Sequence, residues 1–363
     1  MQRLLANPRA EVFNAEDAGT VMRFLTAYLA VSGQPAQLVG TARMYQRPIG
    51  VLVEALRQLG AEIEYAGQEG YPPLQLRGWH PRLAAAEPDE PAELTIRGDI
   101  SSQYISALLM IGPVLPAGLR LWLTGKVGSR PYIRMTQSLM QHFGATCRDL
   151  GTVLEVRPGA YQPANYTVES DWSAASYWYA MVALAPAGST IILPGLREHS
   201  WQGDQAIVGI MDQLGVATEF FPDGVQLTQQ AVSAPFEQDF SDCPDLAQTV
   251  AVVAAALGVP VAMTGLESLR IKETDRILAL QTELAKFGAG LVEEGEERFV
   301  VQPGEFEVSG QIIETYHDHR MAMAFAPLAV RGPLTVLAPE VVRKSYPRFW
   351  KELERAGFTT ANQ

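Results

Sequence analysis

Along the chain, stretches with apolar residues at helical spacing are followed by stretches in which apolar and polar residues alternate. Each predicted helix ends in an apolar residue and a glycine, which suits the left-handed conformation just beyond a helix end. The pattern occurs in segments 52–65, 138–150, 209–221, 278–293 and 349–358, with the glycines at Gly60, Gly144, Gly215, Gly288 and Gly357. Successive glycines are about 70 to 85 residues apart, and this regularity predicts a repeated supersecondary unit.

The repeated unit also contains alternating strands, as in 119–123 and 225–227, so a mixed βαβ-type module is predicted rather than a helical solenoid. A chain of 363 residues exceeds what one core usually holds, and two domains are expected. The segment 157–166 contains two prolines and a glycine and is the predicted linker. The first domain is therefore placed at 1–165 and the second at 166–363.

Composition adds that both domains should be globular, since 47% of residues are apolar and 19% are charged. The net charge of −12 argues against nucleic acid or an anionic membrane surface as a partner. No signal peptide is recognised, and the most apolar stretch, 246–263, is broken by polar residues, glycine and proline, so it predicts a buried helix and a strand. Cys147 and Cys243 suggest neither a disulfide framework nor a zinc site, which fits the cytoplasm.

Charged residues in the second half of the chain suggest chemistry on an anion. Lys272, Glu273 and Arg276 place two cations and a carboxylate just before a predicted helix, although this spacing also fits an exposed helix with i, i+4 pairing. Asp245 precedes an apolar helix, where helix capping is its ordinary role. His317 and His319 lack a spaced third ligand, so no metal site is predicted, and the neighbouring arginine points to an anion instead.

Candidate anion-binding residues also occur in the first half. Gly19 opens a predicted helix, whose exposed N–H groups can approach an anion closely. Arg43 and Arg47 lie four apart and carry the planar fork that pairs with carboxylate or phosphate, and the proline after Arg47 is expected in the first turn of the next helix. The segment 101–103, Ser-Ser-Gln, begins the predicted helix 104–114 and could either cap it or hold a phosphate.

These segments together resemble the 5-enolpyruvylshikimate-3-phosphate synthase family of enolpyruvyl transferases. The similar strings lie in one order along the chain, at 17–23, 41–50, 101–103, 129–132, 269–276, 318–323 and 343–347. The sequence departs from the family pattern at Asp17, Ser268 and His317, where the family usually has Asn.

The resemblance implies a two-domain α/β enolpyruvyl transferase fold built from six repeated units, with the substrates bound between the domains. Five units are recognised here. The family's N-terminal Lys-Ser-x-x-x-Arg motif is not found, so this form of the chain is expected to be incomplete as a catalyst.

The resemblance also implies the reaction and its residues. The enolpyruvyl group of phosphoenolpyruvate would move to the 5-hydroxyl of shikimate 3-phosphate, with Asp245 taking the hydroxyl proton and Glu273 transferring a proton at the methylene carbon. The residues implied for phosphoenolpyruvate are Gly19, Arg47, Arg276, Arg320 and Lys344. Those implied for shikimate 3-phosphate are Ser101, Ser102, Gln103, Ser129, Tyr132, Asp245 and Lys272, with His319 and Ser268 in support. No cofactor or metal is implied, the inhibitor glyphosate is expected beside Gly19, and a monomer is expected.

Two alternative functions fit parts of the sequence. The related transferase acting on UDP-N-acetylglucosamine carries a reactive cysteine in a mobile loop of its first domain, and neither cysteine here occupies such a loop. A catalytically impaired remnant that binds shikimate 3-phosphate is the alternative that the missing N-terminal motif suggests.

Overall fold

The computed structural model describes residues 1–7, 10–81, 90–99, 101–125, 127–232, 235–295 and 297–361. The chain divides into two compact units, Met1–Tyr166 and Thr167–Gln363. Ile100, which belongs to the segment around the predicted Ser-Ser-Gln site, lies outside the described residues.

The first unit contains two four-stranded sheets and the helices that pack on them. Its helices are α1 (Gln2–Leu5), α2 (Gly19–Ser32), α3 (Gly50–Gln58), α4 (Ser102–Ile111) and α5 (Arg130–His142). Its strands are β1 (Val12–Asn14), β2 (Ala36–Val39), β3 (Ala61–Tyr65), β4 (Leu74–Trp79), β5 (Ala92–Arg97), β6 (Leu119–Thr124), β7 (Cys147–Asp149) and β8 (Val153–Val156).

The second unit contains sheets of three, four and two strands, with helices packed on them. Its helices are α6 (Trp172–Leu184), α7 (Ile207–Gln213), α8 (Ala247–Leu257), α9 (Arg276–Lys286), α10 (His319–Phe325) and α11 (Phe349–Arg355). Its strands are β9 (Thr190–Pro194), β10 (Val216–Phe221), β11 (Gly224–Gln229), β12 (Phe236–Asp239), β13 (Val261–Thr264), β14 (Gly290–Glu293), β15 (Arg298–Gln302), β16 (Gln311–Ile313) and β17 (Leu334–Val336).

One strand arrangement recurs in both units. The sheets β1-β2-β4-β3, β5-β6-β8-β7 and β12-β13-β15-β14 each begin with a parallel pair and continue with antiparallel pairs. The remaining sheets are the antiparallel β10-β11-β9 and the parallel pair β16-β17. The predicted mixed α/β class is confirmed.

The glycines that end the predicted helices have left-handed backbones. The φ angles of Gly60, Gly144, Gly215, Gly288 and Gly357 are 97°, 83°, 83°, 80° and 98°. A Cβ at Gly288 would also lie 2.4 Å from the carbonyl oxygen of Glu305, so a side chain is excluded by contact as well as by conformation.

Two local predictions were wrong. The segment 349–358 forms α11, but no strand follows it among the residues described up to 361. Pro48 lies before α3, which begins at Gly50, rather than in its first turn. The carbonyl of Pro48 instead accepts hydrogen bonds from Arg23 and Tyr104, which ties the loop to α2 and α4.

Helix α8 forms the centre of the second unit's core. Residues 247–256 of this helix are buried on every side, and β13 follows after a left-handed Gly258, as predicted for 246–263. Within the described part of the chain, no helix has both the length and the apolar character required to cross a membrane.

Candidate functional site

Helix α9 begins at the position where the sequence places its densest charges. Asp275 caps the helix, since its Oδ1 accepts hydrogen bonds from the N–H groups of Ile277 and Leu278, each at 3.1 Å. Arg276 is therefore the first helical residue, and its side chain is only 2% exposed. A buried guanidinium requires carboxylate partners, because an unpaired buried charge is strongly unfavourable.

Three carboxylates surround Arg276. Its Nε donates to Asp318 Oδ2 at 2.7 Å, its Nη1 to Asp245 Oδ1 at 3.1 Å and its Nη2 to Glu273 Oε2 at 3.0 Å. The interpretation of this segment as an exposed, i, i+4-paired helix is wrong, because Lys272 and Glu273 lie in the turn before α9 and Arg276 is buried.

Two further cations complete the cluster. Arg320, in the first turn of α10, donates from Nη2 to Asp245 Oδ2 at 2.8 Å and from Nη1 to the Asp245 carbonyl oxygen at 3.2 Å. Lys344 Nζ lies 2.6 Å from Glu273 Oε1. The structure thus brings Asp245, Glu273, Arg276, Arg320 and Lys344 into one network.

The charges around Asp245 fix its protonation state. Burial raises the pKa of this carboxyl group, but Arg320, Lys272 and Arg276 lower it by more, so the net pKa lies well below the ordinary value. Asp245 is therefore ionised at neutral pH. It lies in a 3-10 turn, Pro244–Leu246, and its carboxylate pairs with arginines, which excludes helix capping as its main role.

His319 is buried beside this network and is uncharged. Burial and the neighbouring Arg320 lower its pKa to about 4. Its Nδ1 lies 3.7 Å from Asp318 Oδ1, which is too long for a hydrogen bond, and this nitrogen has no hydrogen-bond partner among the residues that the structure describes. Ser268, the other predicted supporting residue, lies in the 3-10 turn Glu267–Ile271 that leads to Lys272.

Residues that the sequence did not assign also belong to the network. Asp318 is fully buried, pairs with Arg276 and caps α10 through the N–H of Arg320. The hydroxyl of Tyr177 lies 3.4 Å from Arg320 Nη1, and burial raises its pKa to about 12. Asp204 accepts a hydrogen bond from the Ser173 hydroxyl, and burial together with the charge of Asp245 raises its pKa to about 6.

In the first unit, two guanidinium groups converge on the start of α2. A Cβ placed on Gly19 would lie 2.7 Å from Arg23 Nη1 and 2.8 Å from Arg47 Nη1, so the glycine allows both cations to approach the helix N-terminus. Arg23 is 4% exposed, and its guanidinium lies over the ring of Tyr104 at 5.7 Å from the centroid. Arg23 belongs to the segment 17–23, which resembles the family motif, but no role is predicted for it from the sequence.

The predicted Ser-Ser-Gln segment lies beside the same helix start. Gln103 Nε2 donates to Thr20 Oγ1 at 3.0 Å, which joins the N-termini of α4 and α2. Ser101 is the N-cap residue of α4, but its hydroxyl makes no capping hydrogen bond. Both Ser101 and Ser102 lie at a helix N-terminus, where an anion is favoured.

Ser129 and Tyr132 lie at the start of α5. Ser129 is the N-cap residue with a left-handed backbone at φ 55°, and its hydroxyl makes no capping hydrogen bond. Helix α5 packs against α4, and the hydroxyls of Ser106 and Thr136 lie 2.7 Å apart between the two helices. The first unit therefore positions its predicted residues at the N-termini of three packed helices.

In the second unit, clustered cations and carboxylates form a candidate enzyme site for small anionic substrates. In the first unit, predicted anion-binding residues lie at helix N-termini, and both units have a mixed α/β fold. The sequence matches the family model of EPSP synthase, or 3-phosphoshikimate 1-carboxyvinyltransferase, over residues 1–353. The chain belongs to this family.

Relatives and solved structures agree with the family match. A 3-phosphoshikimate 1-carboxyvinyltransferase of Bacteroides fragilis is 49% identical over 96% of this chain and 84% of its own, and one of Sodalis glossinidius is 38% identical over 93% and 75%. The fold is similar to that of EPSP synthase from Acinetobacter baumannii, with a TM-score of 0.76 and 22% identity over 96% of this chain and 80% of the other. The predicted family is confirmed, and the two alternatives are not favoured.

Proposed function

We propose that this chain transfers the enolpyruvyl group of phosphoenolpyruvate to the 5-hydroxyl of shikimate 3-phosphate and releases phosphate. The main support is the set of contacts made by Arg276. Its buried guanidinium group donates hydrogen bonds to both candidate proton-transfer groups, to Asp245 at 3.1 Å and to Glu273 at 3.0 Å. The substrates are inferred from the family, and the cations and carboxylates of this network are suited to binding them and to moving protons.

The reaction is an addition followed by an elimination. The 5-hydroxyl oxygen forms a bond to C2 of phosphoenolpyruvate while its proton passes to Asp245, and the methylene carbon C3 gains a proton from Glu273. The resulting tetrahedral intermediate loses phosphate from C2 and returns a proton from the new methyl group to Glu273, which restores the double bond. The proton on Asp245 passes to the released phosphate, so both carboxyl groups regain their starting states.

Arg276, Arg320 and Lys344 are assigned to the carboxylate and phosphate groups of phosphoenolpyruvate. Each of these cations already contacts a carboxylate, so an incoming anion exchanges one charge-assisted hydrogen bond for another instead of desolvating a bare charge. The two arginines supply planar donors, which suit bidentate binding.

Binding of phosphoenolpyruvate should activate Asp245. The pKa of Asp245 is depressed by Arg320, Lys272 and Arg276, and a carboxylate with a low pKa is a weak base. An anion that pairs with Arg320 and Arg276 neutralises part of this positive charge, so the pKa of Asp245 rises and the carboxylate becomes a stronger base when both substrates are bound.

The remaining residues are assigned to binding. In the first unit, Gly19 and Arg47 are assigned to phosphoenolpyruvate. The residues assigned to shikimate 3-phosphate are Ser101, Ser102, Gln103, Ser129, Tyr132, Asp245 and Lys272. The neutral His319 and Ser268 support the second unit's network.

We also infer a cytoplasmic monomer. Both cysteines are buried and reduced, as expected for a reducing compartment, and the described residues contain no candidate membrane span. Light scattering coupled to gel filtration tests the mass: the chain mass of 39.6 kDa is expected, and a multiple of it would contradict the monomer.

Steady-state phosphate release with both substrates tests the function. Release should require both phosphoenolpyruvate and shikimate 3-phosphate, and Asp245→Ala and Glu273→Ala should lower turnover by about 10² to 10⁴ while calorimetry still detects shikimate 3-phosphate binding. Glu307→Gln, at an exposed carboxyl of the same unit, is the control and should retain wild-type turnover. Near-normal release from either Ala variant would contradict the assigned roles, and no release from the wild type would contradict the function.

A further inference from the structure

The turn that leads into α10 has an unusual backbone. Tyr316 and His317 are consecutive non-glycine residues in the left-handed region, with φ angles of 51° and 56°. Such residues persist only where the surrounding structure holds them. The N–H of Asp318 closes the turn by donating to the carbonyl oxygen of Thr315 at 2.8 Å.

This turn determines where the network's side chains point. Asp318 follows it directly, caps α10 and pairs with Arg276. Arg320 follows two residues later and pairs with Asp245. A change in the left-handed backbone would therefore move both groups.

A buried carboxylate holds the turn from the side. The side chain of Glu283 is fully buried, and its Oε1 accepts a hydrogen bond from the Tyr316 hydroxyl at 2.7 Å. Its Oε2 accepts hydrogen bonds from the N–H of Glu314 at 3.2 Å and from Lys286 Nζ at 2.7 Å. Lys286 also donates to the carbonyl oxygen of Ile312 at 3.0 Å, so the hydrogen bonds around Glu283 extend to β16.

Glu283 and Arg276 belong to one helix, α9, and lie two turns apart on it. Arg276 binds the end of the 314–318 turn through Asp318, and Glu283 binds its beginning through Glu314 and its middle through Tyr316. Helix α9 therefore fixes the turn at both ends.

We propose that Glu283 is a positioning residue: it keeps the 314–318 turn left-handed so that Asp318 and Arg320 reach Arg276 and Asp245. It touches no reacting atom in this role. The kinetic part of the proposal rests on the function proposed above, whereas the structural part does not.

The conservative variant Glu283→Gln tests the role. An amide removes the negative charge that pairs with Lys286 and places an N–H donor opposite the Tyr316 hydroxyl, so the ion pair is lost and the Tyr316 hydrogen bond must reverse. The KM for phosphoenolpyruvate should rise about ten- to hundredfold, because small misplacements of a binding group have effects of that size. The calorimetric Kd for shikimate 3-phosphate alone should change by a smaller factor than this KM, since its assigned residues lie outside the turn and one of them, Asp245, contacts Arg320.

Hydrogen exchange followed by mass spectrometry provides a readout that does not need turnover. Exchange of the peptide covering 314–320 should accelerate in Glu283→Gln and remain unchanged in the exposed control Glu307→Gln. Tyr316→Phe, at a partly exposed side chain, removes the hydroxyl and with it the contact to Oε1, while the contacts of Oε2 stay, so both readouts should shift in the same direction by less. This variant tests the proposal if Glu283→Gln does not fold.

Unchanged exchange in a folded Glu283→Gln, or in Tyr316→Phe if Glu283→Gln does not fold, would overturn the proposal. Faster exchange with a wild-type KM would also overturn it, because the turn would then not position the binding groups. A wild-type chain without turnover would contradict the proposed function, and the exchange result would still decide whether Glu283 orders the turn.

Discussion

Arg276 Nε and Asp318 Oδ2 lie 2.7 Å apart, and the two side chains are only 2% and 0% exposed. The pair joins α9 to α10 across 42 residues of sequence. Because Arg276 also contacts Asp245 and Glu273, the Arg276–Asp318 pair fixes the orientation of the guanidinium that holds both candidate proton-transfer groups.

Asp318→Asn should destabilise the protein by about 3 kcal/mol. The change removes a negative charge from the buried pair, so part of the positive charge of Arg276 is left without a compensating carboxylate. The amide oxygen can still cap α10, so the loss reports the ion pair rather than the cap. Urea unfolding measures it. The control is Glu237→Gln at the exposed Arg298–Glu237 pair, whose side chains are 39% and 63% exposed and for which under about 1 kcal/mol is expected. Equal losses in the two variants would contradict the argument.

His319 should make stability depend on pH. Its pKa is about 4 in the folded protein, against the ordinary histidine value of 6.5 for the unfolded chain. Between about pH 4 and pH 6.5, this histidine therefore binds more protons in the unfolded chain than in the folded protein. The free energy of unfolding falls as the pH falls through this range. Between about pH 7 and pH 5, the contribution of this group is a loss of about 2 kcal/mol.

Urea unfolding of His319→Asn at both pH values checks this prediction. The variant should lose less stability on acidification than the wild type, whereas His317→Asn, at the exposed neighbouring histidine, should follow the wild type. Asp204 acts in the opposite sense, because its raised pKa favours the folded state as the pH falls, and this contribution is common to all three proteins. If His319→Asn and His317→Asn show the same pH dependence, His319 is not the responsible group.

Local sequence signals predicted the elements that carry the site. Glycines mark the helix ends, the charged residues Lys272, Glu273 and Arg276 lie where α9 begins, and the apolar stretch 246–263 forms α8 and β13, because helix ends and periodicity depend on neighbours in sequence. The burial of Arg276 was not evident from the residues around it, since the same i, i+4 spacing occurs on exposed helices.

Long-range partners account for the residues that were missed. Asp318 was recognised only as part of a motif, and its role depends on an arginine 42 positions away. Tyr177 lies in α6, which is buried along nearly its whole surface, so periodicity marks no functional face. Glu283 occupies the position of an ordinary helical glutamate, and only its fully buried contacts to Tyr316 and Glu314 distinguish it.

The pH dependence of turnover should show the activation of Asp245. The acid limb of kcat/KM for phosphoenolpyruvate reports the enzyme before that substrate binds, and the limb of kcat reports the enzyme with both substrates. Because phosphoenolpyruvate neutralises charge that depresses the pKa of Asp245, the acid limb of kcat should lie at higher pH. Rates measured at saturating shikimate 3-phosphate across the acid range check this. Coinciding limbs would contradict it.

Gly19→Ala should weaken glyphosate more than phosphoenolpyruvate. The new methyl group would lie 2.7 Å from Arg23 Nη1 and 2.8 Å and 3.0 Å from Arg47 Nη1 and Nη2, so both guanidinium ends must shift. These nitrogen atoms are at the ends of flexible side chains. The small substrate phosphoenolpyruvate can move together with them. Glyphosate has a longer backbone than phosphoenolpyruvate and tolerates less loss of space beside Gly19, so its inhibition constant should rise about tenfold or more, against a few-fold rise in KM.

Inhibition kinetics at matched ratios of phosphoenolpyruvate to KM measure the two effects of Gly19→Ala separately. Gly209→Ala is the control, because a Cβ at this exposed helical glycine meets nothing within 4 Å and should leave both constants unchanged. If Gly19→Ala raises KM and the inhibition constant by the same factor, then the methyl group acts only by displacing Arg47, and the argument from space beside the glycine fails.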